Sequence, residues 1–143
     1  MKSTSLLVAA ASCLSIVSFA HAADNAVLLP PGEIKWVDVP NAKGVQIAPV
    51  QGDPSKGPSH FFLKFAPGFS APMHHHSANH FGTVVSGTVA LTVDGQERKL
   101  PAGSYFAFTG KKPHATRCET GADCVLSIDA RGKWDVVQQK KKK

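Results

Sequence analysis

The chain has 143 residues, 43% of them apolar and 18% charged, with 12 glycines and 10 prolines. That composition fits a single globular domain and excludes coiled-coil and collagen-like classes. Lys2 and Lys140 to Lys143 carry five of the six net positive charges, so the remainder is close to neutral and no nucleic-acid-binding face is implied.

In chain order, Met1-Lys2 precedes an uncharged run of apolar and small residues from Leu6 to Ala20, and Ala20-His21-Ala22 places small residues at the positions a signal peptidase reads. The pattern predicts a secretory signal peptide over 1–22 and a mature chain that starts near Ala23 and is periplasmic or secreted. A retained anchor is the alternative, weakened by the shortness of the run and by Ser12, Ser15 and Ser18. No stretch of about 18 apolar residues follows, so no membrane span is expected once the signal is removed.

From Pro30 onward, breaks such as Gly52-Asp53-Pro54, Pro67-Gly68, Asp94-Gly95 and Pro101-Ala102-Gly103 leave no gap long enough for a core helix. Runs rich in Val, Ile, Phe and Thr lie between them. Strands are predicted over 45–50, 61–65, 80–85, 88–93, 105–108 and 125–130, the clearest being Thr88 to Val93, which alternates ahead of an Asp94-Gly95 hairpin turn. Regular short strands argue an all-β barrel or sandwich as one domain over 23–137. Residues 138–143, two glutamines and four lysines, are expected to form a disordered polybasic tail. Apolar strand edges in a small barrel commonly need a cover or a partner, which leaves a homodimer open.

Four of the six histidines after position 22 fall between Met73 and His80. In an extended strand His74 and His76 share a face and His75 points away, so the inward pair can chelate one metal. His80 returns to that face if the strand continues or bends gently, and His114 is placed to approach from a later strand. Neutral imidazoles suit iron, nickel, copper, cobalt and zinc rather than calcium or magnesium, with manganese a further possibility. Phe62, Phe81, Phe106 and Phe108 either line the barrel mouth or fill its core. Cys118 and Cys124 flank a turn-like segment, and in an oxidising compartment a disulfide is the default for them. Service as a metal-ligand pair is the sharper alternative, with a spacing wider than a zinc knuckle.

The segment from Gly68 to Gly87 resembles the first motif of the cupin superfamily, G-x5-H-x-H-x3-E-x6-G: Gly68, His74, His76 and Gly87 stand at the motif spacings, and His80 occupies the glutamate position. The second motif, G-x5-P-x-G-x2-H-x3-N, is similar to Gly103 through Cys118, with His114 in register and Thr109, Lys111 and Cys118 in place of Pro, Gly and Asn. Gly52 to Gly57, Leu100 to Tyr105 and Lys112-Pro113-His114 also resemble small single-domain cupins related to the cupin-like domain of singlet-oxygen-responsive anti-sigma factors. The resemblance implies a double-stranded β-helix, the jelly-roll barrel, and a divalent metal, iron foremost, held by His74, His76 and His114. His80, at the glutamate position, is expected as the fourth ligand of the same mononuclear site, with a catalytic base beside the ion as its alternative role. All-imidazole ligation adds no negative charge, so the ion keeps its full +2 and favours a small anionic or enolisable substrate. The expected function is a mononuclear metalloenzyme of dioxygenase type or an isomerase or lyase. The alternative is a non-catalytic metal- or ligand-binding, sensing module of the periplasm.

Overall fold

Strand formation follows the alternation written into the chain, as β3 and β10 show: Phe61, Leu63 and Phe65 are buried between His60, Phe62 and Lys64, and Leu126, Ile128 and Ala130 are buried between Ser127 and Asp129. The computed structural model describes residues 26–139; the expected signal peptide and Lys140 to Lys143 lie outside the described residues. Its strands are β1 (Val37–Asp38), β2 (Val45–Gln51), β3 (Ser59–Phe65), β4 (Ser70–His75), β5 (His80–Ser86) and β6 (Thr88–Val93), followed by β7 (Gln96–Pro101), β8 (Tyr105–Phe108), β9 (His114–Cys118), β10 (Cys124–Ala130) and β11 (Val137–Gln138). A single 3₁₀ turn at Pro31–Glu33 is the sole helical element among the described residues, and no helix there is long and apolar enough to cross a membrane.

The strands form two antiparallel sheets, β1-β2-β3-β10-β5-β8 and β11-β4-β9-β6-β7. The all-β jelly-roll expectation is met. Each of the six predicted strands is present, with boundaries shifted by two residues or fewer. β7 was not predicted, because Gln96, Glu97, Arg98 and Lys99 are all exposed and carry no apolar alternation. It forms because the Asp94-Gly95 turn, with both residues at positive φ, folds it back on β6 with Val93 opposite Gln96. Its charges also suit an edge strand, which must resist pairing with other chains.

Between the sheets, Phe61, Val84, Val89, Leu126 and Ile128 are buried to 3% exposure or less. The two cysteines are bridged, joining β9 of one sheet to β10 of the other with Cα atoms 5.8 Å apart. Gly82 on β5 lies opposite Phe106 on β8, and a Cβ there would fall 2.2 Å from the Phe106 ring. Only a hydrogen allows that ring to lie flat across the strand. At the C-terminal side two residues expected in the tail pair with a strand instead: Gln138 pairs with His74, and the Gln139 N–H donates to the Met73 carbonyl at 3.0 Å. The open edge of β4 captures these two glutamines, so they belong to the sheet.

The turn from β8 to β9 has an unusual backbone. Lys111 adopts φ 66° while its N–H donates to the His76 carbonyl at 2.8 Å. This is the position where the cupin motif carries glycine, and a side chain in the left-handed region costs about 1–2 kcal/mol. Glycine's own extra chain entropy offsets part of that. Lys111→Gly is therefore expected to raise the unfolding free energy by about 0.5–1 kcal/mol, read from urea denaturation midpoints at unchanged m-value.

Candidate metal centre

Both sheets deliver histidines to one point inside the barrel. His74 on β4 lies directly opposite His114 on β9, their ring centroids 4.5 Å apart. His76 follows the end of β4, after which the chain bends through Ser77-Ala78 and crosses to the other sheet. His80 opens β5 there. It joins the cluster from the facing sheet by way of that bend and not by a continuation of β4, the second of the two routes the sequence left open. The reason is geometric, since β4 stops at His75 and the bend turns the chain between the two walls.

All four rings are buried, with exposures of 2–5%. The ring nitrogens offered by His74, His76 and His114 lie within 4.8 Å of one another. His80 stands beside that group and outside it, its centroid 4.7 Å from His76 and 5.8 Å from His114. His75 is half-buried on the opposite side of β4. His60 sits on the outer face of β3, where its Nε2 is 3.0 Å from Ser127 Oγ, and takes no part in the cluster.

The hydrogen bonds of the rings decide their chemistry. His74 Nδ1 donates to the Pro72 carbonyl at 2.8 Å, His114 Nδ1 to Lys112 at 3.0 Å, and His80 Nδ1 to Ala78 at 3.4 Å, in each case two residues back along the chain. His76 Nδ1 instead donates to the carbonyl of Asp135. A carbonyl only accepts, so each proton is assigned to Nδ1, and every Nε2 keeps an unprotonated lone pair. Burial penalises the imidazolium form at all four sites, pushing His76 down to about 3 and His114 to about 4, with His74 and His80 lowered in the same direction. Four neutral imidazoles with free Nε2 atoms fit a first-row transition ion well and a calcium or magnesium ion poorly.

Local sequence explains part of this placement. The β4–β9 register shifts between Ala71 and His74, at Pro72, which has no N–H for the ladder. Opposite, Gly110 N–H donates to Asn79 Oδ1 at 2.7 Å and approaches the Ser77 carbonyl so closely that a Cβ would lie 2.4 Å from it. The bend carrying His76 and the turn before His114 are thus clasped together.

Two residues of the site escaped sequence reading. Trp134 stacks on His76 with centroids 3.7 Å apart and presents its edge to His80 at 5.1 Å. Its backbone N–H donates to the Pro54 carbonyl at 2.8 Å, while the Asp135 carboxylate accepts from Ser77 N–H at 2.7 Å and Ser77 Oγ at 2.6 Å. The stretch 131–136 is irregular and gives no periodic signal. Of the four phenylalanines considered, Phe106 and Phe108 line the cavity above the histidines, Phe108 stacking on His114 at 4.1 Å. Phe62 and Phe81 face outward, and Tyr105 is 63% exposed. The cavity measures about 690 Å³ and has all four histidines in its wall. The bridged cysteines are unavailable as ligands.

With this geometry in view, residues 61–130 match the family described as Cupin domain. The chain carries a cupin domain. No curated protein matches it significantly in sequence. Among solved structures it is similar to KdgF from Halomonas sp., with TM-score 0.62 and 22% identity over 75% of this chain and 94% of that one. It is also similar to the polyketide cyclase RemF from Streptomyces resistomycificus, with TM-score 0.65 and 19% identity over 80% and 86% of the two chains. A chain of the Rhodobacter sphaeroides complex of SigE with the anti-sigma ChrR gives TM-score 0.56 and 20% identity over 71% of this cupin and 51% of that chain. These likenesses establish a shared fold.

Two outcomes follow from the site. The four histidines titrate near 6.5 when unfolded and lower when buried, so below about 6.5 the unfolded chain binds more protons than the folded one. Stability of the metal-free protein is expected to be level above that pH and to fall progressively toward pH 4, measured as urea midpoints across the range. Separately, Asp135→Ala releases Ser77 from the 131–136 segment that orients His76. Metal affinity is expected to drop about tenfold, measured by competition with a chromogenic chelator.

Proposed function

We propose that this cupin is an exported mononuclear metalloenzyme that acts on a small anionic or enolisable substrate, with iron as its metal and oxygen-dependent cleavage as its reaction type. The observation that carries the reading is the buried group of His74, His76 and His114, each with Nδ1 tied to a backbone carbonyl and Nε2 left as a lone-pair donor. These three residues would hold the ion. When bound, a divalent ion polarises coordinating oxygens as a Lewis acid, and iron adds redox chemistry with oxygen.

The chain's own residues supply the rest. Three neutral imidazoles leave the ion's charge undiminished, which favours a ligand that binds as an enolate or carboxylate. His80 lies next to His76 but outside the group of three, and it is held neutral by burial. Its free Nε2 suits it to accept a proton from an acidic carbon of the substrate. Phe106, Phe108 and Trp134 keep bulk water from the reacting atoms. The fold shared with a polyketide cyclase supports catalysis over simple binding. Export is supported by the sequence of residues 1–22 and by the Cys118–Cys124 bridge, which persists in oxidising compartments.

A second reading, a non-catalytic metal- or ligand-sensing module, draws on the fold shared with a chain of the anti-sigma complex. Elemental analysis of the untagged mature protein separates the possibilities, followed by oxygen-uptake assays on a panel of β-diketones. About one iron per chain is expected, lost in His76→Ala and retained in His75→Ala, with oxygen uptake lost in His80→Ala. Zinc in its place, or equal loss of metal from both His75 and His76 variants, would falsify the redox reading or the ligand assignment respectively.

A further inference from the structure

Charge is nearly absent from the cavity wall. Among the described residues that line it there is no lysine and no arginine, and the carboxylates are Asp38 and Asp135 alone. Both are already engaged, Asp38 by Gln46 Nε2 at 2.9 Å and Asp135 by the Ser77 N–H and hydroxyl. Around the histidines the wall is built of Leu63, Leu126, Ile128, Phe106, Phe108 and Trp134. The rim has the same character: Val37 and Val136 line the cavity while remaining 58% and 54% exposed. Large aliphatic side chains at an entrance, where solvent exposure costs them favourable burial, mark a path for apolar groups.

A volume of about 690 Å³ exceeds what a two- or three-carbon acid occupies. The only strong anchor for negative charge is an ion at the histidines. A second carboxylate or a phosphate on the ligand would shed its hydration inside this wall and meet no cation. We infer that the site takes a monoanionic chelating ligand with an aryl or branched alkyl body, its chelating oxygens at the histidine cluster and its body against Phe106, Phe108 and Trp134, and that it excludes polyanionic acids and sugar phosphates. The inference rests on the metal reading above and narrows the anionic substrate class to one charge and an apolar frame.

Hydroxamates provide matched probes, because the chelating head stays constant while the body changes. Acetohydroxamate, benzohydroxamate and 4-carboxybenzohydroxamate are titrated by calorimetry into the metal-loaded wild-type protein, each corrected for chelation of the same ion in free solution. Burial of the phenyl ring is expected to make benzohydroxamate bind at least about tenfold tighter than acetohydroxamate, and the added carboxylate to reverse that gain. Val136→Lys, at an exposed rim position that tolerates charge, is expected to recover several-fold binding of the carboxylated probe. A loaded protein that binds all three probes equally, or prefers the carboxylated one, overturns the inference and leaves the metal reading standing. A protein that retains no ion overturns both.

Discussion

Each of the four buried imidazoles gives its Nδ1 proton to a main-chain oxygen, and the arrangement of the site depends on that. Three of the bonds reach back two residues on the same chain segment, so the orientation of His74, His80 and His114 is built into local backbone shape. The tautomer follows from the acceptor, and the free nitrogen follows from the tautomer. Burial then completes the effect by keeping the rings neutral well into acid. A histidine cluster made this way needs no carboxylate partner to fix it, and the charge of the site would be left entirely to an ion bound there.

Regular structure supplies the walls, while irregular structure supplies the closure. β4 and β9 place His74 and His114 face to face, but His76 depends on the bend after β4, the turn before β9 and the segment after β10 meeting at one place. The Gly110 approach to Ser77 and the Asp135 bonds to the same serine hold these pieces against one another. The disulfide ties the same two sheets through β9 and β10. The cavity is thus supported by covalent and hydrogen-bonded links between layers rather than by the sheets alone.

Much of this was legible in the sequence because strand alternation and motif spacing are local signals. The two-residue period places His74 and His76 together, and the Asp94-Gly95 turn marks its hairpin without ambiguity. Charged β7 was hidden because an edge strand exposed along its length shows no apolar alternation. The route by which His80 reaches the site stayed open because a bend between two sheets looks the same in sequence as a strand that continues. Trp134 and Asp135 were invisible because they meet the site from a stretch with no period, through contacts 58 residues apart in the chain. Gln138 and Gln139 looked like tail because composition carries no sign of an open strand edge waiting for them.

The long reach of the His76 bond also sets an order of assembly. By the time His114 has been added to a growing chain all four rings exist, yet His76 has no partner for its Nδ1 until residue 135 follows and β10 has been laid between β3 and β5. A nascent chain therefore lacks the finished histidine geometry through most of its synthesis. High-affinity loading would come after folding, so an ion held at this site would be drawn from the pool of the compartment where folding ends, whatever metals surround the ribosome.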